Sequence, residues 1–244
     1  MVMPLRDDDT DRRTVPVVTY ALIAINVLVW LIELNLGDRF INGFSTVPFE
    51  ITHSKDLVGL QTITAGGESA QIQLYAGPTP VFLTLLSSMF MHASWMHIGG
   101  NMLYLWIFGD NIEDRIGHIK FLIFYLLCGL AASGADILVK PDSIIPSLGA
   151  SGAIAGVLGA YLLLFPKRKV KVMMARQLVD MPAFAVLGLW IVLQVFSQVT
   201  VAGGQTGGVA YMAHIGGFVA GLALIYLFGG RRGPLPPQDT GAAR

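Results

Sequence analysis

Charge and cysteine are both scarce in this sequence. Only 13% of its 244 residues are Asp, Glu, Lys or Arg, about half the share of an ordinary soluble domain. The single cysteine, Cys128, excludes an internal disulfide and any cysteine-built metal cluster, and reads as a small apolar filler. Formal net charge is zero, so the electrostatic attraction that drives nucleic-acid binding is missing. His92 and His97 lie five residues apart, roughly 140° around a helix. They make a poor metal pair, and no metal site is expected from them.

What replaces charge is long apolar sequence. Hydrophobic residues make up 54% of the chain, and mean hydropathy is +0.63. From Met181 to Gly230 there is no Asp, Glu, Lys or Arg, nor is there one from Ser69 to Gly109. A spanning helix needs roughly 20 apolar residues. Six candidates result: 14–32, 94–112, 121–139, one within 143–166 starting near Ala150, and two from 181–230 separated by "AGGQTGG" (Ala202 to Gly208). The expected fold is an all-α membrane protein of six spans. Residues 1–13 form an N-terminal segment, and residues 14–230 the six-span domain. Within the domain, residues 37–93 are a long first loop with an interfacial segment at 81–91. The Pro/Gly-rich tail 231–244 is expected to be disordered. The polar, acidic start "MVMPLRDDDTDRRT" lacks the short basic opening of a cleavable signal, so the first span is expected to be retained.

Basic residues orient the spans. With the N-terminus cytoplasmic, 13 of the 16 Lys and Arg fall in cytoplasmic segments, and only Arg39, Lys55 and Lys140 fall outside. Cytoplasmic enrichment of basic residues therefore predicts both termini inside. The compact core and short termini fit a bacterial inner-membrane protein.

Polar groups within a span are costly unless they face a bundle interior or a wet cavity. Ser151, His97, Asn101, His214 and Asp136 are such groups, whereas Glu33, at the end of the first span, is expected to reach the interface. Counted back from the inner charged ends of their spans, Ser151, His214 and His97 sit at similar depth, roughly 24 to 26 Å up at 1.5 Å per residue. His97 and Asn101 share a helix face at i, i+4. His214 shares its face with Gly217 and Gly221, a small-xxx-small pair. Gly152, Ala155, Gly156 and Gly159 descend from Ser151 and offer the complementary surface. Two glycine-lined helices meeting there would bring Ser151 to His214.

That pairing has a chemical reading. Serine is a weak nucleophile until a base takes its proton, and histidine is the usual base near neutral pH. Acyl transfer also needs donors for an oxyanion. Asn101 offers an amide, His97 a ring N–H, and Ser151 a backbone N–H at a helix start. No carboxylate orients His214 convincingly, Asp136 being the one acid to consider, so a dyad is expected rather than a triad. The soluble-hydrolase elbow is not matched, because Ala153 stands where its final glycine would be.

Three motifs carry a resemblance: "MHASWMHIGGNMLYLWIFGDNIEDRIG" (Met91 to Gly117), "GASG" (Gly149 to Gly152) and "AHIGGFVAG" (Ala213 to Gly221). In that order, within six spans, they resemble the rhomboid intramembrane serine proteases over about residues 14–230. The resemblance implies a six-helix bundle with a cavity open to the outer side. It implies Ser151 as nucleophile and His214 as general base and then acid, with His97 and Asn101 joining the Ser151 N–H as oxyanion donors. Gly149, Gly152, Gly156, Gly217 and Gly221 are expected to pack helices at the site. The expected partners are membrane lipids and single-span membrane proteins, the latter cut in or near their span. The alternative is a rhomboid-like pseudoprotease that binds membrane clients without cutting. A transporter is disfavoured by the lack of an internal repeat. The Trp-Arg pair that many family members carry in the first loop has no counterpart here, since Arg39 follows Asp38.

Overall fold

The computed structural model describes residues 3–65, 68–175, 177–202 and 210–230. The expected tail 231–244 and nearly all of the "AGGQTGG" break lie outside the described residues.

Six apolar helices dominate: α1 (Val17–Leu36), α5 (Trp95–Ile116), α6 (His118–Val139), α7 (Ser151–Leu164), α8 (Ala183–Ala202) and α9 (Tyr211–Leu224). By length and composition, segments Val17–Leu36, His118–Val139 and Ala183–Thr200 are each able to cross a membrane. A fourth candidate is Val81–Phe90 joined to Trp95–Ile116, if that pair, bent by 78°, counts as one span. Helices α7 and α9 have 14 residues each, or about 21 Å at 1.5 Å per residue. That is short of the roughly 30 Å hydrocarbon core.

The short helix α7 is the central one. Every residue of α7 from Gly152 to Tyr161 is buried, as expected of a helix apolar on all sides. Helices α6 and α9 flank it, and glycine sets how closely they approach. A Cβ on Gly217 would land on the Gly152 carbonyl, and one on Gly221 on the backbone of Gly156. The expected α7–α9 contact is therefore present, with a refinement. The glycines of α7 also admit α6: a Cβ on Gly152 would meet Ala132 at 2.6 Å, and one on Gly156 would meet Cys128. Cys128 is fully buried, as a filler should be.

At one end of the bundle, carboxylates of α5 close the start of α1. The first N–H groups of any helix lack intrahelical acceptors. Here Glu113 accepts from Val18 N–H at 2.8 Å and Thr19 N–H at 2.7 Å. Asp114 accepts from Thr14 N–H at 2.7 Å. The chain then reverses at Gly117, whose φ of +87° favours glycine.

The all-α expectation holds for the bundle but fails at both ends. Beside the α5–α6 turn, strand β1 (Met3–Asp7) pairs antiparallel with β4 (Lys169–Met174), which pairs with β5 (Gln177–Pro182). The long first loop contains α2 (Asp38–Phe44), α3 (Pro48–His53) and the hairpin β2 (Gly59–Ala65) and β3 (Glu68–Leu74). Short helical turns follow from Val81 to Phe90, including α4 (Thr84–Ser87).

Strand β1 is held by a buried polar cluster. Tyr161 O–H and Asn111 Nδ2 both donate to Asp7 Oδ2, at 2.5 and 2.9 Å. Arg168 bonds to Asn111 Oδ1 and to both Asp11 oxygens. Burial pushes the Asp7 carboxyl up to about 7 despite the Tyr161 hydrogen bond and the nearby Arg168, with Asp110 and Asp9 adding repulsion. The sign follows from linkage: an acid whose folded pKa is raised favours folding in its protonated form. Its contribution is complete below about pH 4 and is lost as pH rises toward 7. Thermal unfolding in detergent should therefore show higher stability at pH 5.5 than at pH 7.5, with the difference reduced in Asp7→Asn. An equal difference in that variant would show that Asp7 is not the group responsible.

Candidate active site

Ser151 is the first residue of α7, and its N–H therefore has no intrahelical acceptor. The glycine contacts bring α9 against this helix, and His214 Nε2 lies 2.7 Å from Ser151 Oγ. The two residues are 63 positions apart in the chain. Close backbone approach is what lets such short side chains meet.

His97 and Asn101 project from the first turns of α5. Ser94 begins that helix, its Oγ accepting the His97 N–H at 3.1 Å. The Ala93 N–H donates to His97 Nδ1 at 3.3 Å. An Nδ1 that accepts leaves Nε2 carrying the proton. Asn101 is buried, and its Nδ2 makes no hydrogen bond among the described residues. An unpaired buried donor carries a desolvation cost with no return until an acceptor arrives.

Ser151, His214, His97 and Asn101 all line one cavity of about 570 Å³, together with Tyr104 and Trp190. The structure thus gathers all four expected polar residues at one place. Asp136 does not join them: it is absent from the cavity wall, and its Oδ1 has no hydrogen-bond partner. No group of three His, Cys, Asp or Glu able to hold a metal occurs among the described residues.

Two expectations need correction. Gly149 was expected to pack helices but lies in the loop before α7. Its φ is +136°, and a Cβ there would come 2.9 Å from His97 Cε1 and Nε2. It gives the His97 ring room and permits the turn into Ser151. Glu33 was expected to reach the interface, yet it is 1% exposed and accepts the His92 N–H through both oxygens at 3.1 Å. A carboxylate in such a position needs hydrogen-bond donors, and the short link between Phe90 and α5 supplies one.

The first loop also supports the site. Thr46 and Ser147 exchange backbone hydrogen bonds at 3.0 and 2.8 Å, and the Gly149 N–H donates to the Ser88 carbonyl at 2.8 Å. Segment 147–149, leading into Ser151, is thereby fastened to the loop. These bonds are made by the backbone, which explains why side-chain motifs gave no sign of them.

One residue near the base was overlooked. Gln194 of α8 has its Oε1 2.8 Å from His214 Nδ1. Its sequence signal was an amide, one of two with Gln198, inside a charge-free apolar helix, passed over beside ionisable candidates.

A bundle of apolar helices enclosing a cavity that holds a Ser–His pair describes an integral membrane protein. The Rhomboid domain model matches residues 80–231, and the chain belongs to the rhomboid family. Members of this family are generally intramembrane serine proteases, though some are inactive. The chain is 32% identical over 146 residues to "Rhomboid protein 1, mitochondrial" of Saccharomyces cerevisiae, covering 57% of this chain and 40% of that protein. It is 31% identical over 148 residues to "Rhomboid protease GluP" of Bacillus subtilis, covering 60% and 24%. It is 25% identical over 218 residues to "Putative rhomboid protease YdcA" of the same organism, covering 88% and 89%. The chain thus spans well under half the length of the first two and most of the third.

Proposed function

We propose that this chain is a serine endopeptidase that cuts single-span membrane proteins in or near their membrane segment. The observation that carries this reading is the 2.7 Å approach of His214 Nε2 to Ser151 Oγ inside a cavity that also holds unengaged donors. In the reaction, Nε2 takes the Ser151 proton as Oγ attacks the scissile carbonyl. Negative charge on the carbonyl oxygen meets the Ser151 N–H, Asn101 Nδ2 and His97 Nε2–H. His214 then protonates the leaving amine, and water hydrolyses the acyl-enzyme by the same steps in reverse roles. A helical peptide bond must unwind before such attack, so substrates with small or helix-destabilising residues near the cut are favoured.

The same reading takes α1, α5, α6, α7, α8 and α9 as six spans with both termini cytoplasmic. Its support is that the N-terminal segment with its three arginines, the α5–α6 turn and the β4–β5 connection share one end of the bundle. They are joined by β1–β4 pairing and by Arg12 to Asp110 at 2.5 Å. The proposed location is the bacterial plasma (inner) membrane; the relatives include bacterial proteins and one named mitochondrial.

A fluorophosphonate probe tests the function. Detergent-solubilised protein should be labelled covalently, and Ser151→Ala and His214→Ala should each abolish labelling. Persistent labelling of Ser151→Ala would remove the assignment of the nucleophile. Failure of the folded wild-type protein to label would favour a pseudoprotease that binds membrane clients.

A further inference from the structure

Histidine acts as a base on serine only when its Nε2 lone pair faces the hydroxyl. The ring proton must then sit on Nδ1 and needs an acceptor of its own. In many serine hydrolases a carboxylate fills that place. Among the described residues no carboxylate hydrogen-bonds His214; the atom in place is Gln194 Oε1, 2.8 Å from Nδ1. We propose that Gln194 is a positioning residue, whose amide oxygen holds His214 in the Nδ1–H form with Nε2 aimed at Ser151. This inference rests on the endopeptidase reading for its kinetic consequences, though not for the tautomer itself.

Three observations support it. Ser151 Oγ, His214 and Gln194 form an unbroken chain at 2.7 and 2.8 Å, each member on a different helix. Only one assignment of protons satisfies both bonds with an amide oxygen as acceptor: Nδ1–H donates to Gln194, and Ser151 O–H donates to Nε2. Next, α8 touches the ring twice from one face. Trp190, four residues before Gln194, places its ring centroid 5.8 Å from that of His214 at 38°. Indole packing limits ring tilt, while the amide fixes rotation about the ring's own axis. Lastly, a primary amide within a span is costly unless it is hydrogen-bonded, and His214 gives it a partner.

A neutral amide has a further consequence. It accepts the Nδ1 proton without adding negative charge to a site already facing a second titratable ring, His97. The imidazolium formed during attack is then stabilised by a dipole rather than a full charge. Substituting a carboxylate should therefore change the titration of the base without removing its orientation.

The test uses full-length protein with two substitutions. Gln194→Met keeps the length of the side chain and removes the acceptor; Gln194→Glu keeps an acceptor and adds charge. For Gln194→Met, kcat should fall about 10²-fold, the scale expected when a reacting group is misplaced by about 1 Å, with KM little changed. For Gln194→Glu, most turnover should return and the acidic limb of the kcat/KM–pH profile should move to higher pH. The ¹⁵N NMR signals of His214 should report protonated Nδ1 in the wild type and loss of that single form in Gln194→Met. Wild-type kcat and an unshifted profile in both variants, with Ser151→Ala inactive, would overturn the inference and leave the endopeptidase reading intact. Equal losses of kcat in both variants would also overturn it, because bulk alone would then account for the effect. If Ser151→Ala itself retained turnover, the reading of function would fall, and the NMR comparison would still decide the tautomer.

Discussion

Turnover of a single-span substrate should fall by about 10⁴-fold or more when either Ser151 or His214 is replaced by alanine, and the double variant should be no worse than either single one. The reason is that neither residue has a catalytic effect without the other. Without His214, the Ser151 hydroxyl remains protonated and weakly nucleophilic. Without Ser151, the His214 lone pair has no proton to take. Losses that belong to one event do not add. Residual activity in all three variants should be equal and should reflect binding and the oxyanion donors alone. The measurement is single-turnover cleavage in detergent or liposomes, with thermal unfolding as a check on folding. Additive losses would show that the two side chains act on separate steps, despite the 2.7 Å between them.

The second large effect is expected from a single methyl group. Gly221→Ala should abolish fluorophosphonate labelling and destabilise the fold by about 3 kcal/mol, the upper part of the ordinary cost of overpacking. Its Cβ would occupy the space of the Gly156 backbone. A backbone has no rotamer through which to yield, so α9 must shift away from α7. His214 lies on α9 two turns earlier, and its short reach to Ser151 tolerates little of that shift. The control is Gly188→Ala on α8, where an added Cβ meets nothing within 4 Å. There the variant should be neutral or stabilised by up to about 1 kcal/mol, since alanine is the better helix former. Thermal unfolding and labelling of both variants decide the matter. If Gly221→Ala behaved like Gly188→Ala, close α7–α9 approach would not be what places the base.

Much of this arrangement was legible beforehand because it rests on local signals. Charge-free runs declare helices, since no other element of that length satisfies its own backbone in lipid. Ser151 and His214 were legible because each sat beside glycines at helical spacing, and a depth count placed both on one layer. Strand β4 had a readable pattern too: Lys169, Val170, Lys171 and Val172 alternate, and the two valines are fully buried. The lysines were read instead as a topology signal, which masked the alternation.

Other features had no local signal. Gly149 looked like one more small residue in a glycine-rich stretch until its φ of +136° and the adjacent His97 ring gave it a different task. Asp7 looked like one of several exposed N-terminal acids until strand pairing carried it to Tyr161, 154 residues away. Gln194 looked like one of two amides in an apolar helix until α8 was set beside α9.

By itself, then, the sequence determined which segments are helical and apolar, where polar groups are costly enough to need a reason, and that the Ser151 and His214 helices carry surfaces able to meet. These follow from composition and period, which are properties of neighbouring residues. Only the tertiary structure decided which glycine faces which helix, that the first loop fastens the approach to Ser151, and that an amide rather than a carboxylate stands behind His214. Hydrogen bonds form over about 3 Å, so those partners are fixed by how the helices pack and not by where their residues lie along the chain.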